Sequence, residues 1–255
     1  MKSPAQEGGF GLVEVLIALV LGLIVVLGVI QVFLGNNQAY ALQRKVAAMQ
    51  EDARFVLTRM ASEIRMVNMY GCLNRSRLAN ADSFPAAFDT PISYESGRLK
   101  IITADPNAES FVTQTTRTLP GLGAKWLIAT DCRSEARIAD SGAVVVNPGD
   151  VLIPLRQVEY RVDEHRLQVR SNGSGSFQTL IDGVVGLDIS FALAAAAGDL
   201  NVAGDYQGSV ADADFDRIRS VRLALQLSDS PDNPMNAQVG TQEFTVVAAL
   251  RNRMD

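Results

Sequence analysis

Gly9-Phe10-Gly11-Leu12-Val13-Glu14-Val15-Leu16-Ile17-Ala18-Leu19-Val20 opens an almost unbroken apolar run that continues to Leu34. Within residues 10–34 the one charge is Glu14, and the only other clearly polar side chain is Gln31. About 20 apolar residues in a helix cross the hydrocarbon of a bilayer, so a membrane-spanning helix is expected here. A secretory signal peptide has a shorter apolar stretch, with a small-residue cleavage site at its far end. This run is longer, no such site follows it, and the small pair Gly8-Gly9 precedes it. A carboxylate within a membrane helix costs roughly 2.5–3.5 kcal/mol and calls for a partner. Glu14 therefore either meets a defined cation or lies shallow enough to reach the interface.

Beyond the run the pattern becomes amphipathic. Leu42, Val46, Met49, Ala53, Val56, Met60, Ile64 and Val67 recur at steps of three and four, which makes one face of an α-helix. Arg44, Lys45, Glu51, Asp52, Arg59, Glu63 and Arg65 take the other positions. No proline occurs between Pro4 and Pro85, so one helix is expected from about residue 10 to residue 68. At 1.5 Å per residue its length would be on the order of 90 Å. The stripe does not keep a strict heptad, which disfavours a generic coiled coil.

After Tyr70-Gly71 the period changes to two. Val158, Tyr160 and Val162 alternate with Glu159, Arg161 and Asp163, and Leu187, Ile189, Phe191 and Leu193 alternate with Asp188, Ser190 and Ala192. Val221, Leu223, Leu225 and Leu227 repeat the pattern, and a last strand is expected over residues 243–250. Such alternation marks half-buried antiparallel strands. Glu95-Ser96-Gly97, Asn147-Pro148-Gly149-Asp150 and Ser171-Asn172-Gly173-Ser174-Gly175 supply the turns. The expected fold class is α+β, a long N-terminal helix packed on an antiparallel β-rich head.

Composition narrows the chemistry. The 255 residues carry a net charge of −5 with two cysteines and one histidine. Nucleic-acid binding needs a basic patch, and the longest basic cluster is Arg44-Lys45, so no direct nucleic-acid partner is expected. Four Cys or His ligands for structural zinc are not there. A histidine-dependent nucleophile would have to use His165, which lies in the expected hairpin turn Asp163-Glu164-His165-Arg166. No catalytic residue, cofactor or resident metal is expected. Asp199, Asn201, Asp205, Asp212, Asp214 and Asp216 form an acidic loop. Their spacing matches a calcium loop only in part, because the third oxygen ligand and the closing Glu are missing.

Gly9-Phe10-Gly11-Leu12-Val13-Glu14 followed by the long apolar run resembles the N-terminal signal of type IV prepilins and of the pseudopilins of type II secretion. The order of head segments over residues 150–253, with the ending Leu250-Arg251-Asn252-Arg253, is similar to the PilW-type minor pilins and the related J-type pseudopilins. The resemblance implies a leader over residues 1–9, cleavage by prepilin peptidase between Gly9 and Phe10, and N-methylation of Phe10. It implies that Glu14 sets assembly register by meeting the N-terminal amine of a neighbouring subunit, a pairing that makes a buried carboxylate tolerable. It divides the chain into the leader, a membrane and assembly half-helix (10–34), an amphipathic half-helix (35–69) and a periplasmic head (70–255). The cytoplasmic N-terminus follows from the resemblance, since Arg44 and Lys45 count the other way. The implied partners are other minor pilins, the major pilin, the prepilin peptidase and the inner-membrane assembly platform. The subunit would rest in the inner membrane and pass into the pilus. In an oxidising periplasm the even cysteine count favours a Cys72–Cys132 disulfide. Two alternatives stay open: the J-type pseudopilin of a secretion system, and an uncleaved single-pass membrane protein with a periplasmic domain.

Overall fold

The computed structural model describes residues 11–73, 84–104, 109–110, 115–118, 124–233 and 236–251. Helix α1 (Leu12–Arg65) is unbroken over 54 residues. It ends slightly before the expected residue 68. Asn68 has a left-handed φ of 61°, and Val67 forms an isolated antiparallel bridge to Thr103. The chain divides into two compact units, Met1–Ala48 and Met49–Asp255. In the first, the large apolar side chains of residues 12–34 all face outward, from Leu12 at 77% exposed to Ile30 at 48%.

Among the described residues, the second unit contains the end of α1 and thirteen strands. These are β1 (Ile92–Glu95), β2 (Arg98–Ala104), β3 (Glu109–Ser110), β4 (Thr115–Thr118), β5 (Trp126–Thr130), β6 (Ala136–Ala139), β7 (Ala143–Val146), β8 (Val151–Asp163), β9 (Arg166–Ser171), β10 (Gln178–Asp182), β11 (Val184–Leu193), β12 (Ile218–Ser228) and β13 (Thr241–Ala249). All pair antiparallel. An eight-stranded sheet runs β1-β2-β8-β5-β6, with β3 and β9 also on β8 and β10 on β9. Strands β11-β12-β13 form a three-stranded sheet and β4-β7 a two-stranded one. Strand β8 has 13 residues, long enough to pair β5 with its first half and β9 with its second.

The helix stripe is why the two larger sheets share a core. Met49, Ala53, Val56, Met60, Ile64 and Val67 are buried in one cluster with Leu99, Ile101, Val158 and Tyr160 of the large sheet and with Ile189, Leu223 and Leu225 of the small one. Each of the Val, Leu, Ile and Met side chains contributes about 1.5–3 kcal/mol by leaving water. Strand β5 is buried along its whole length because it separates two further clusters. Trp126 and Ile128 join Tyr70, Phe84 and Phe88 on one face, while Leu127 and Ala129 meet Val144 and Val146 of β7 on the other. The aromatic group is held edge to face, with Phe88 centroids 5.3 Å from Tyr70 and 5.1 Å from Trp126, as ring quadrupoles prefer.

Glu63 departs from the expected polar face. It is 6% exposed, and the Tyr160 hydroxyl donates to it at 2.6 Å. Arg59, one turn earlier, stands 3.7 Å away. Burial first, and the Glu63 charge second, push the Tyr160 phenol well above its ordinary value. The pair ties α1 to the middle of β8. The hairpin turn expected at residues 163–166 is formed between β8 and β9. Glu164 and His165 both have positive φ (47° and 57°) between β8 and β9, the geometry of a type I′ hairpin. Gly183, at φ 79°, separates β10 from β11, and a Cβ there would lie 2.9 Å from the Ser228 carbonyl oxygen. Only glycine fits that approach.

Candidate membrane and assembly site

Glu14 stands in the first turn of α1. Its amide donates to the Gly11 carbonyl at 3.0 Å, and the Val15 amide to the same oxygen at 3.3 Å. A carboxylate there faces the positive end of the helix dipole, worth about 0.3–1 kcal/mol at an exposed position. Its side chain is exposed and has no side-chain partner among the described residues. Gly9 and Phe10 lie outside the described residues. Helix α1 carries a stretch long and apolar enough to cross a membrane. A Cβ at Gly22, Gly28 or Gly35 would meet nothing within 4 Å, so these glycines are smooth places on an uncovered surface.

The cysteines behave differently. Cys72 and Cys132 form a disulfide, their Cα atoms 5.5 Å apart. Cys72 lies beyond the helix end, beside Tyr70 of the aromatic cluster, and Cys132 just past the end of β5. The turn carrying Cys132 is built by Asp131. Its Oδ1 accepts the amides of Arg133, Ser134 and Glu135 at 2.9, 3.0 and 3.0 Å. The Ser134 hydroxyl adds a bond to Oδ2. The backbone bonds from Ser134, Arg133 and Glu135 hold the Asp131 carboxyl well below the usual carboxylate range. Cys132 has a φ of 60°, and its amide donates to the Thr130 hydroxyl at 3.0 Å.

The acidic loop is organised from within the chain. Asp199 Oδ2 accepts the Ala196 amide at 3.1 Å, and Asp214 pairs with Arg217 at 2.7 Å. Arg219 is 5% exposed. It donates to the carbonyl oxygens of Asp199, Asp216 and Ile218. Those carbonyls converge on a guanidinium where a calcium loop would turn oxygens toward the ion. Among the described residues no cluster of His, Cys, Asp or Glu is arranged to hold a metal. His165 is half-buried in its turn, with Nδ1 3.1 Å from the Val184 carbonyl oxygen and Nε2 3.2 Å from Asp232. These contacts fix the hairpin against β11.

The structure thus brings Cys72 and Cys132 together. Sequence reasoning missed Glu63 and Tyr160 as a pair, and Arg219 as the clamp of the acidic loop. Spacing held a signal for Glu63, which sits three residues after Met60 and seven after Val56, on the buried stripe. No protein-family model matches the chain, and no curated protein matches it either.

Proposed function

We propose that this chain is a subunit of a type IV pilus-like fibre, of the PilW minor-pilin type, and that its role is architectural. The observation that carries the reading is helix α1. Its first half exposes an apolar surface with one carboxylate in the opening turn, and its second half is the buried spine of a β-rich unit. An apolar surface of this size is stable only in lipid or against other helices. Glu14 supplies the one charge on it, and a neighbour's N-terminal amine is the partner that a low-dielectric setting favours. In this reading the leader is removed between Gly9 and Phe10, Phe10 is methylated, and the helix leaves the inner membrane to pack among other pilin helices. The periplasmic unit meets other minor pilins, in a complex that primes or caps the fibre.

The deciding experiment removes the gene and follows two readouts in the same cultures, surface pili and extracellular enzyme export. Loss of pili with normal export is the expected result. Loss of export with normal pili moves the protein to a type II secretion pseudopilus of J type. Sequencing the mature N-terminus tests the processing step: Phe10 is expected, and an intact Met1 would identify an uncleaved membrane protein instead.

A further inference from the structure

Strand β13 is an open edge. The Leu250 amide donates to the Arg219 carbonyl at 2.9 Å, and the register Ser220↔Ala249 to Ser228↔Thr241 is continuous with that pair. Antiparallel ladders alternate bonded and non-bonded pairs. Gln242, Phe244, Val246 and Ala248 therefore turn their amides and carbonyls toward β12. Thr241, Glu243, Thr245, Val247 and Ala249 turn theirs away from it. No described residue pairs with this outer row.

Other edges in the same unit are guarded. Strands β1 and β6 have four residues each. Strand β10 carries a bulge. Strand β11 is interrupted by two register shifts and covered at Phe191 by Gln207. Strand β13 has nine residues, no proline, no lysine and no bulge. Natural edges of that length are normally blunted by such devices. Beside it runs a groove of about 510 Å³, floored by Ala53, Leu57, Phe244 and Val246 and rimmed by Arg54. Arg54 has no ion-pair partner among the described residues.

We infer that the β13 edge and this groove dock an extended segment of a second, different polypeptide, which adds as a further strand and sets a carboxylate against Arg54. Main-chain bonds to Glu243, Thr245 and Val247 give the affinity, and alternate apolar side chains enter the groove. A second copy of this chain fits less well. Paired antiparallel through its own β13, it would place Gln242, Phe244, Val246 and Ala248 on the helix side. None is a carboxylate, so Arg54 would stay unpaired. The inference does not depend on the pilus reading, because it requires only that the chain meet its partner in the cell.

The test places a photoreactive benzophenone side chain at Val247 of the full chain, which is 47% exposed, and crosslinks in intact cells. Thr245→Pro removes an outward amide and no ladder bond, a substitution edges accept. It is expected to lower the adduct more than tenfold with an unchanged thermal midpoint. Thr245→Ala keeps the amide and is expected to keep the adduct. Arg54→Glu, on the exposed helix surface, is expected to lower it severalfold and decides the matter if the proline variant unfolds. Mass spectrometry is expected to map the crosslink to an acidic, extended segment of another protein. An absent adduct, one indifferent to Thr245→Pro and Arg54→Glu, or one formed with lipid or a second copy would overturn the inference.

Discussion

Glu14 and Glu63 are carboxylates on one helix, and they live under opposite rules. Glu63 is buried and has its donor, Tyr160, and its cation, Arg59, in the same chain. Glu14 lies in a stretch whose apolar neighbours are all exposed, and the described residues give it no partner. The difference lies in where each half-helix finds its solvent. Residues 49–65 bury their stripe against two sheets, so every polar group there must be satisfied within the fold. Residues 12–34 bury nothing against the other described residues, and their helix is long and apolar enough to cross a membrane. One helix thus serves as core in one unit and as unfinished interface in the other.

If that contrast holds, damage to internal partners should appear as lost stability of the second unit. The largest effect is expected from Cys72→Ala with Cys132→Ala, or from reduction. The bond joins residues 60 apart, and opening a loop of that size costs about 4 kcal/mol in the chain-entropy account. Denaturant midpoints with and without reductant check it. Next comes Tyr160→Phe, which leaves the buried Glu63 without its hydroxyl donor. The expected loss is about 1–3 kcal/mol. Its pH signature has a definite sign. Tyr160 is raised by burial and by Glu63, so its contribution is complete below the ordinary tyrosine value of about 10. It fades as pH rises above that value, and Tyr160→Phe should abolish this alkaline loss.

A smaller effect is expected at Asp52, on the exposed side of α1. Burial first, then the charges of Glu51 and Asp182, push its carboxyl up. A raised carboxyl favours the protonated fold, so stability falls as pH rises from the ordinary value of about 3.9 through the raised one. Asp52→Asn removes that penalty. With solvent screening the gain at neutral pH is expected to be a few tenths, ~0.3 kcal/mol, and to vanish below pH ~3. Thermal midpoints at the two pH values measure it.

The helix and the hairpins were legible because their signals are local. A 3.6-residue period, the missing prolines and the Glu164-His165 turn each act within a few neighbours. Strands β11 and β13 alternate because one face is wet, whereas in β8 the alternating Glu159 is itself buried and paired with Arg170. The central pairing of β2 on β8 left no such trace, since its partners are far apart in sequence. Strand β5 is buried on both faces, which removes alternation altogether. The same limit explains the site. The even cysteine count pointed to the disulfide, and a lone charge in an apolar run singled out Glu14. Glu63 read as polar surface although its spacing placed it on the buried stripe, because the donor that permits its burial is contributed by β8. The clamp of Arg219 on three carbonyls was likewise invisible, since backbone oxygens have no letter in a sequence.

The smallest effect on folding is the sharpest test of the contrast. Glu14→Ala removes a side chain with no partner among the described residues and places a better helix former in the first turn of α1. The lost dipole term, about 0.3–1 kcal/mol at most, falls in the half of α1 that supplies no residue to the buried clusters. Its denaturant midpoint should therefore match that of the unaltered chain. On the proposed pilin reading, the same variant should still lose residues 1–9 while its entry into a fibre is impaired. A large fall in the midpoint would show that Glu14 has a partner inside the fold after all, and the two carboxylates would then obey one rule. An unchanged midpoint with unimpaired fibres would leave Glu14 without a role in either the fold or the assembly.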